Sequence, residues 1–140
     1  MTEDDVALVQ ESWAQVVPIA DAAMKQFYCR LFDADAGLAK PFADTDMASQ
    51  RSHLASAINL VVGNLHQPET LVRPLQDLGA RHASYRVAER DFDLVGEALL
   101  ATLASGLADH WTEAHLNAWA AAWQAILSHV LVGFQTQRAA

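Results

Sequence analysis

A single cysteine, four prolines, six glycines and nine basic residues are all that this chain has of those types in 140 positions. With only Cys29 available, no internal disulfide can form, which excludes a small disulfide-stapled scaffold and favours a reducing compartment, the cytoplasm. The opening residues agree, since MTEDDVALV is acidic where a secretory leader would be basic. Scarce glycine and proline, beside abundant alanine and leucine, remove the turn residues that a many-stranded protein needs and predict an all-α fold. The nine lysines and arginines are scattered among 17 acidic residues, for a net charge of -8. That leaves neither a stripe for nucleic acid nor a patch for an anionic lipid surface. Long apolar runs are also wanting. The longest, Ala118 to Phe134, touches the ~17-residue lower limit for a membrane span. Gln124, Ser128 and His129 interrupt it, so a packed terminal helix is expected and no span.

What is present is a core. A chain that is 52% hydrophobic over residues 1–140 makes one domain with a sizeable interior and no room for a second catalytic module. The breakers mark out six substantial helices with one or two short ones between them. Thr2 and Asp5 form a capping pair ahead of a helix to about Val17, and Pro18 opens a second helix through Phe27, Tyr28 and Leu31. A tight connector with Gly37 and Pro41 leads to ADTDMASQ, which holds several caps for a helix running to about Leu65. HQPET starts the fourth helix, with Pro74 in its first turns; the fifth spans roughly Glu89 to Leu107, and Thr112 caps a last one to about Gln137.

The apolar stripes carry three anomalies. Leu71, Leu75, Leu78, His82 and Tyr85 recur at helical spacing in the fourth helix, placing a histidine on the buried face. In the third, Met47, Gln50, Leu54, Ile58, Val61 and Leu65 share a face, with Gln50 the polar intruder; in the second, Tyr28 brings a hydroxyl among Met24, Phe27, Leu31 and Phe32. Phe92, Val95, Leu99 and Leu103 in the fifth helix are ordinary packing surface, as are Leu116, Trp119, Trp123, Leu127, Val130 and Phe134 in the sixth. One inward histidine is more often a core residue bonded to a carbonyl than a ligand, and Tyr or Gln near a helix end often reaches solvent. Three in one small core are another matter. An unpartnered buried polar group costs about 1–3 kcal/mol, so the three need separate partners or one shared reason. A cofactor carrying iron is such a reason, because neutral imidazole ligates iron and Tyr and Gln donate to what binds opposite. Other histidines make a weaker case: His110 and His115 are five apart across a helix start, and His66 and His129 stand alone. Cys29 is expected to be a buried or half-buried thiol.

ESW (Glu11 to Trp13), FYCRLF (Phe27 to Phe32), PF (Pro41, Phe42), MASQRSHL (Met47 to Leu54), LGARHASYRV (Leu78 to Val87), FDLVGEALL (Phe92 to Leu100), WT (Trp111, Thr112) and AWAAAW (Ala118 to Trp123) follow one another in order. In this order and spacing the chain resembles the globins over nearly its whole length. The nearest likeness is to bacterial single-domain forms, namely the haem domain of flavohaemoglobins and the Hell's Gate-type globin of methanotrophs, with neuroglobin more distant. The resemblance implies a 3-on-3 helical sandwich and a single globin domain over residues 1–140. It implies that His82 is the proximal ligand of haem iron, that Phe42 stacks on the porphyrin, and that Tyr28, Gln50 and Leu54 form the distal pocket. It gives Val87, Phe92 and Val95 as proximal wall, and makes His53, with Arg51, Arg81 and Arg86, candidates for the haem propionates. No C-x-x-C-H occurs, so the haem is expected to be a non-covalent haem b.

Reversible binding of dioxygen is the function the resemblance implies, with CO and NO as further ligands and high oxygen affinity from the Tyr/Gln pair. Nitric oxide dioxygenase activity is the alternative and needs a separate reductase. A gas or redox sensor, or a haem-free helical interaction module, comes third. The family pattern has a glutamate on the last helix behind the proximal histidine, whereas LVGFQTQ offers Phe134 or Gln135 there. Gln50, unlike the distal histidine of neuroglobin, does not readily ligate iron. A monomer and a homodimer are both compatible with the fold.

Overall fold

The computed structural model describes residues 1–85 and 87–139. Among these are six α-helices joined by short 3-10 turns, with no strand. Helix α1 (Glu3–Val16) starts at a reciprocal cap: the Asp5 amide donates to the Thr2 hydroxyl at 3.1 Å, and the Thr2 amide donates to the Asp5 carboxylate at 3.0 Å. Pro18 does not open the next helix as expected. It sits in a 3-10 turn (Val17–Ile19), Ile19 leaves helical angles, and α2 begins only at Ala20 and runs to Ala34. Proline's fixed φ and missing N–H suit that short turn, in which the chain bends between two helices.

A second 3-10 segment, Ala36–Phe42, leads to α3 (Met47–Gly63). Asp46 caps α3 by accepting from the Ala48 amide at 3.1 Å and from the Ser49 hydroxyl at 2.9 Å, and these bonds, the Ser49 one foremost, hold its carboxyl below the ordinary aspartate range. HQPET yields a 3-10 turn (Pro68–Leu71) rather than the start of an α-helix, and α4 follows as Val72–Ala83 with Pro74 in its first turn, where its missing N–H costs nothing. Helix α5 (Asp91–Leu107) starts two residues later than expected, because the Asp91 carboxylate turns back to accept from the Ala88 amide at 2.7 Å and closes the preceding turn. The last helix, α6 (Glu113–Ala139), starts beyond Thr112, whose hydroxyl accepts from the His115 amide at 3.4 Å.

The body of the molecule is α1, α2, α5 and α6, packed around Val9, Trp13, Met24, Phe27, Leu103 and Trp119. A second cluster (Leu71, Leu75, Phe92, Leu127, Val130, Phe134) joins α4 to α5 and α6. Helix α3 is the exception. Of its 17 residues only Val62 is buried, and Leu54, Ile58 and Val61 are half-covered. Gln10 ties it to α1 by donating to the Val62 carbonyl at 3.0 Å, as does the Trp13 indole by donating to Asn59. It packs on α1 and α2, but no close pairing of α3 with α4 accompanies these contacts among the described residues.

Three expectations about burial are corrected. Tyr85 and Leu116 are exposed, Tyr85 because α4 ends at Ala83 and Leu116 in the first turn of α6, and Cys29 is exposed on α2. No helix among the described residues is long and apolar enough to cross a membrane.

Helix α5 ends at Ala108 with φ 50° and ψ -118°, a region that L side chains rarely occupy. Ala108→Gly relieves that strain and is expected to raise stability by about 1 kcal/mol, read as a higher urea midpoint at unchanged slope.

Candidate functional site

The half-covered face of α3 borders a partly open cavity of about 130 Å3. Leu54, Ile58 and Val61 line it from α3, Leu75 and Leu78 from α4, Val95 and Leu99 from α5, and Trp119, Trp123 and Ile126 from α6. Every lining residue is apolar, down to Val9 and Phe27 at its deep end. Such a space, larger than a water-sized void, open on one side and without a polar lining group, suits an apolar guest better than water.

His82, Tyr28 and Gln50 do not line it, but each lies within one helical turn of a residue that does: Leu78, Phe27 and Leu54 respectively. His82, in the last turn of α4, is half-buried one helical turn after the lining residue Leu78, and its Nδ1 lies 2.8 Å from the Leu78 carbonyl oxygen. A carbonyl only accepts, so Nδ1 carries a proton, and Nε2 has no hydrogen-bond partner among the described residues. Phe92 (6.0 Å between ring centroids) and Tyr85 (5.5 Å) flank the imidazole, and Phe134 stacks edge-on behind Phe92 at 5.3 Å. Val87, half-buried, packs into the same cluster.

On α2 and α3, Gln50 Nε2 donates to the Tyr28 hydroxyl oxygen at 3.0 Å. Tyr28 is buried among aromatic rings, with Phe27, Phe32 and Phe42 at centroid distances of 5.0, 5.7 and 5.6 Å. Burial pushes its phenol above the ordinary 10.0, and the Gln50 hydrogen bond opposes this only in part. The phenol therefore stays a neutral donor, and its hydrogen has no acceptor among the described residues. Three inward polar groups need a shared partner or three separate ones. In the structure Tyr28 and Gln50 satisfy each other, and His82 is satisfied at one nitrogen. The remaining donors and acceptors include the Tyr28 O–H, the second Gln50 amide hydrogen and His82 Nε2.

The other predicted residues divide between wall and rim. Leu54 and Val95 line the cavity; Phe42, half-buried, packs against Tyr28 and Phe32 instead. His53 and Arg81 are exposed, Arg51 is committed to Asp21 at 2.8 Å, and Arg86 lies outside the described residues. Phe134 is fully buried, and Gln135 donates to Glu89 at 3.2 Å, away from His82. Sequence reading took Leu78, Trp123 and Ile126 for plain core or did not single them out. Their periodicity is that of any packed face, and no signal in the sequence separates a cavity wall from a filled interior.

A family model described as Globin matches residues 25–130. The chain is 33% identical over 118 residues to a flavohemoprotein of Rhizobium meliloti (strain 1021), an alignment covering 83% of this chain and 29% of that protein. Against anaerobic nitrite reductase HBII of Casuarina glauca it is 27% identical over 143 residues, covering 92% and 89% of the two chains. Among solved structures it superposes on a hexacoordinated heme protein from an anhydrobiotic tardigrade with a TM-score of 0.87 at 18% identity, covering 96% of each chain, a likeness of fold.

An ultraviolet titration is expected to show a phenol ionising only above 10.0, a step that Tyr28→Phe removes. Because the folded value is raised, the neutral phenol supports the fold below 10.0, and that support is lost as pH climbs through the raised value. Gln50→Leu removes the opposing hydrogen bond and moves the step higher still.

Proposed function

Because the chain belongs to the globin family, we propose that it holds a non-covalent haem b in the cavity beside α3 and α4 and binds dioxygen reversibly there, with CO and NO as further ligands. The observation that carries this reading is His82, with Nδ1 committed to the Leu78 carbonyl and Nε2 free, one turn from the wall of an entirely apolar cavity. The donor set fits the group: one neutral imidazole for iron, apolar walls for the porphyrin, and no second cysteine for a thioether link. Bound haem supplies the iron at which a diatomic gas is held.

The chain's own residues set what happens around that iron. His82 would be the proximal ligand, and its Nδ1 bond to the Leu78 carbonyl fixes the tautomer that leaves Nε2 for iron. The last helix offers Phe134 or Gln135, and no carboxylate, where the family pattern carries its proximal glutamate, which favours reversible binding over oxygen activation. Tyr28 is the distal donor. Gln50 donates one amide hydrogen to it, which polarises the phenol, and keeps a second for the gas. Leu54 would cover the distal side and Phe42 would stack on the porphyrin, Val87, Phe92 and Val95 would form the proximal wall, and the exposed His53 and Arg81 would pair with the propionates. Two donors to a polar ligand contribute about 1–3 kcal/mol together, a ten- to hundredfold gain in affinity, and CO, less polar when bound, gains less.

A second reading is nitric oxide dioxygenase activity. The flavohemoprotein relatives favour it, the chain spanning only 29% of the length of the first of them. It uses the same pocket and needs electrons from a separate reductase.

Absorption spectra of the protein as isolated, reduced, and exposed to air or CO test the haem site. His82→Ala is expected to retain little haem or to lose its proximal ligand. Stopped-flow release of dioxygen should accelerate in Tyr28→Phe and in Gln50→Leu, more in the first, and by about ten- to hundredfold in the double variant. Unchanged release in both variants removes the pair from the mechanism. Rapid mixing of the oxygenated protein with NO, followed by nitrate assay, decides the second reading.

A further inference from the structure

Gly79 and Gly133 meet where α4 crosses α6, the most extensive helix pairing in the fold. A Cβ added at Gly79 would land inside the Val130 carbonyl and at 2.9 Å from the Phe134 nitrogen; one added at Gly133 would land inside the Gln76 carbonyl and at 2.8 Å from the Gln76 α-carbon. Each helix thus presses a carbonyl onto the other's glycine. The end of a flexible side chain can yield to an extra methyl group, but two helix backbones must move apart. Glycine inside a helix also loses more conformational freedom on folding than alanine, so the pair is a local cost that only the close approach offsets.

Two links lead from this crossing to the imidazole. Gly79 lies three residues before His82 and next to Leu78, whose carbonyl holds Nδ1. Phe134, next to Gly133 and fully buried, supports Phe92, and Phe92 flanks the His82 ring. Both links consist of protein atoms alone.

We propose that Gly79 and Gly133 are positioning residues for His82: their reciprocal contact docks α4 on α6 in the haem-free chain, so that the imidazole is in place before haem enters. The purpose of this device rests on the haem site proposed above; its mechanics do not. A proximal helix fastened in advance removes an ordering step from cofactor binding.

Hydrogen exchange on the haem-free full-length chain tests it without any variant. The amides from Gln76 to His82 are expected to exchange at least ~100-fold more slowly than an unstructured peptide, close to those of α6. Exchange at the free-peptide rate would overturn the proposal. In the haem-loaded protein, Gly79→Ala and Gly133→Ala are each expected to lower the iron–histidine stretching frequency and to speed haem transfer to an acceptor about tenfold. Gly63→Ala, where a Cβ meets nothing within 4 Å, should change neither. In a His82→Gly background supplied with free imidazole, which has no tether to α4, adding Gly79→Ala should leave the iron–imidazole frequency unchanged. A shift there, or none in the tethered variants, refutes a positioning role. Should the wild type take up no haem, the proposed function fails, while the exchange result still decides whether the crossing holds α4.

Discussion

An apolar helix face without a protein partner is the condition on which the rest of this structure depends. Burying a leucine or isoleucine side chain fully is worth about 1.5–3 kcal/mol. Leu54, Ile58 and Val61 on α3 realise only part of that, because they face a cavity instead of a neighbouring helix. Stability must then come from elsewhere. It comes from the body of α1, α2, α5 and α6, whose core holds Val9, Met24, Leu103 and Trp119 almost wholly out of water, and from α4 seated on α6. Helix α3 itself is suspended: hydrogen bonds from Gln10 and Trp13 fasten its far half to α1, while the Tyr28–Gln50 bond and the Arg51–Asp21 ion pair fasten its near half to α2.

That suspension explains the polar intruders. A side chain at the edge of an open cavity can satisfy part of its hydrogen-bonding capacity within the protein and keep the rest for a guest. Tyr28 accepts from Gln50 and retains its own hydrogen; His82 donates through Nδ1 and leaves Nε2 without a partner among the described residues. A sealed core would have to satisfy both, at a cost of about 1–3 kcal/mol for each group left over. The globin membership of the chain and the chemistry of these two groups are both compatible with the haem site proposed above.

The helices were legible in the sequence because stripe, cap and breaker agree: Thr2, Asp46 and Thr112 all stand at helix starts. So were Tyr28, Gln50 and His82, since a polar residue on an apolar stripe is visible without coordinates. The starts of α2 and α4 were less so. Pro18 and Pro68 can open either a 3-10 turn or an α-helix, and only the packing of the following residues decides. The exposure of Cys29 and Tyr85 was hidden for a related reason, because both lie where the helical face turns away from the body or the helix has ended. The depth of the cavity and the glycine crossing were illegible. An isolated glycine in a helical pattern reads as a weakness until the helix lying across it is known.

The exposed position of Cys29 makes one residue beside the pocket chemically addressable. It is the sole thiol of the chain and adjoins Tyr28 on α2, so a maleimide dye attaches at a single, known point. A fluorophore placed there would lie close enough to a haem in the cavity for its emission to be quenched, turning arrival and departure of the cofactor into an optical signal without any engineered cysteine.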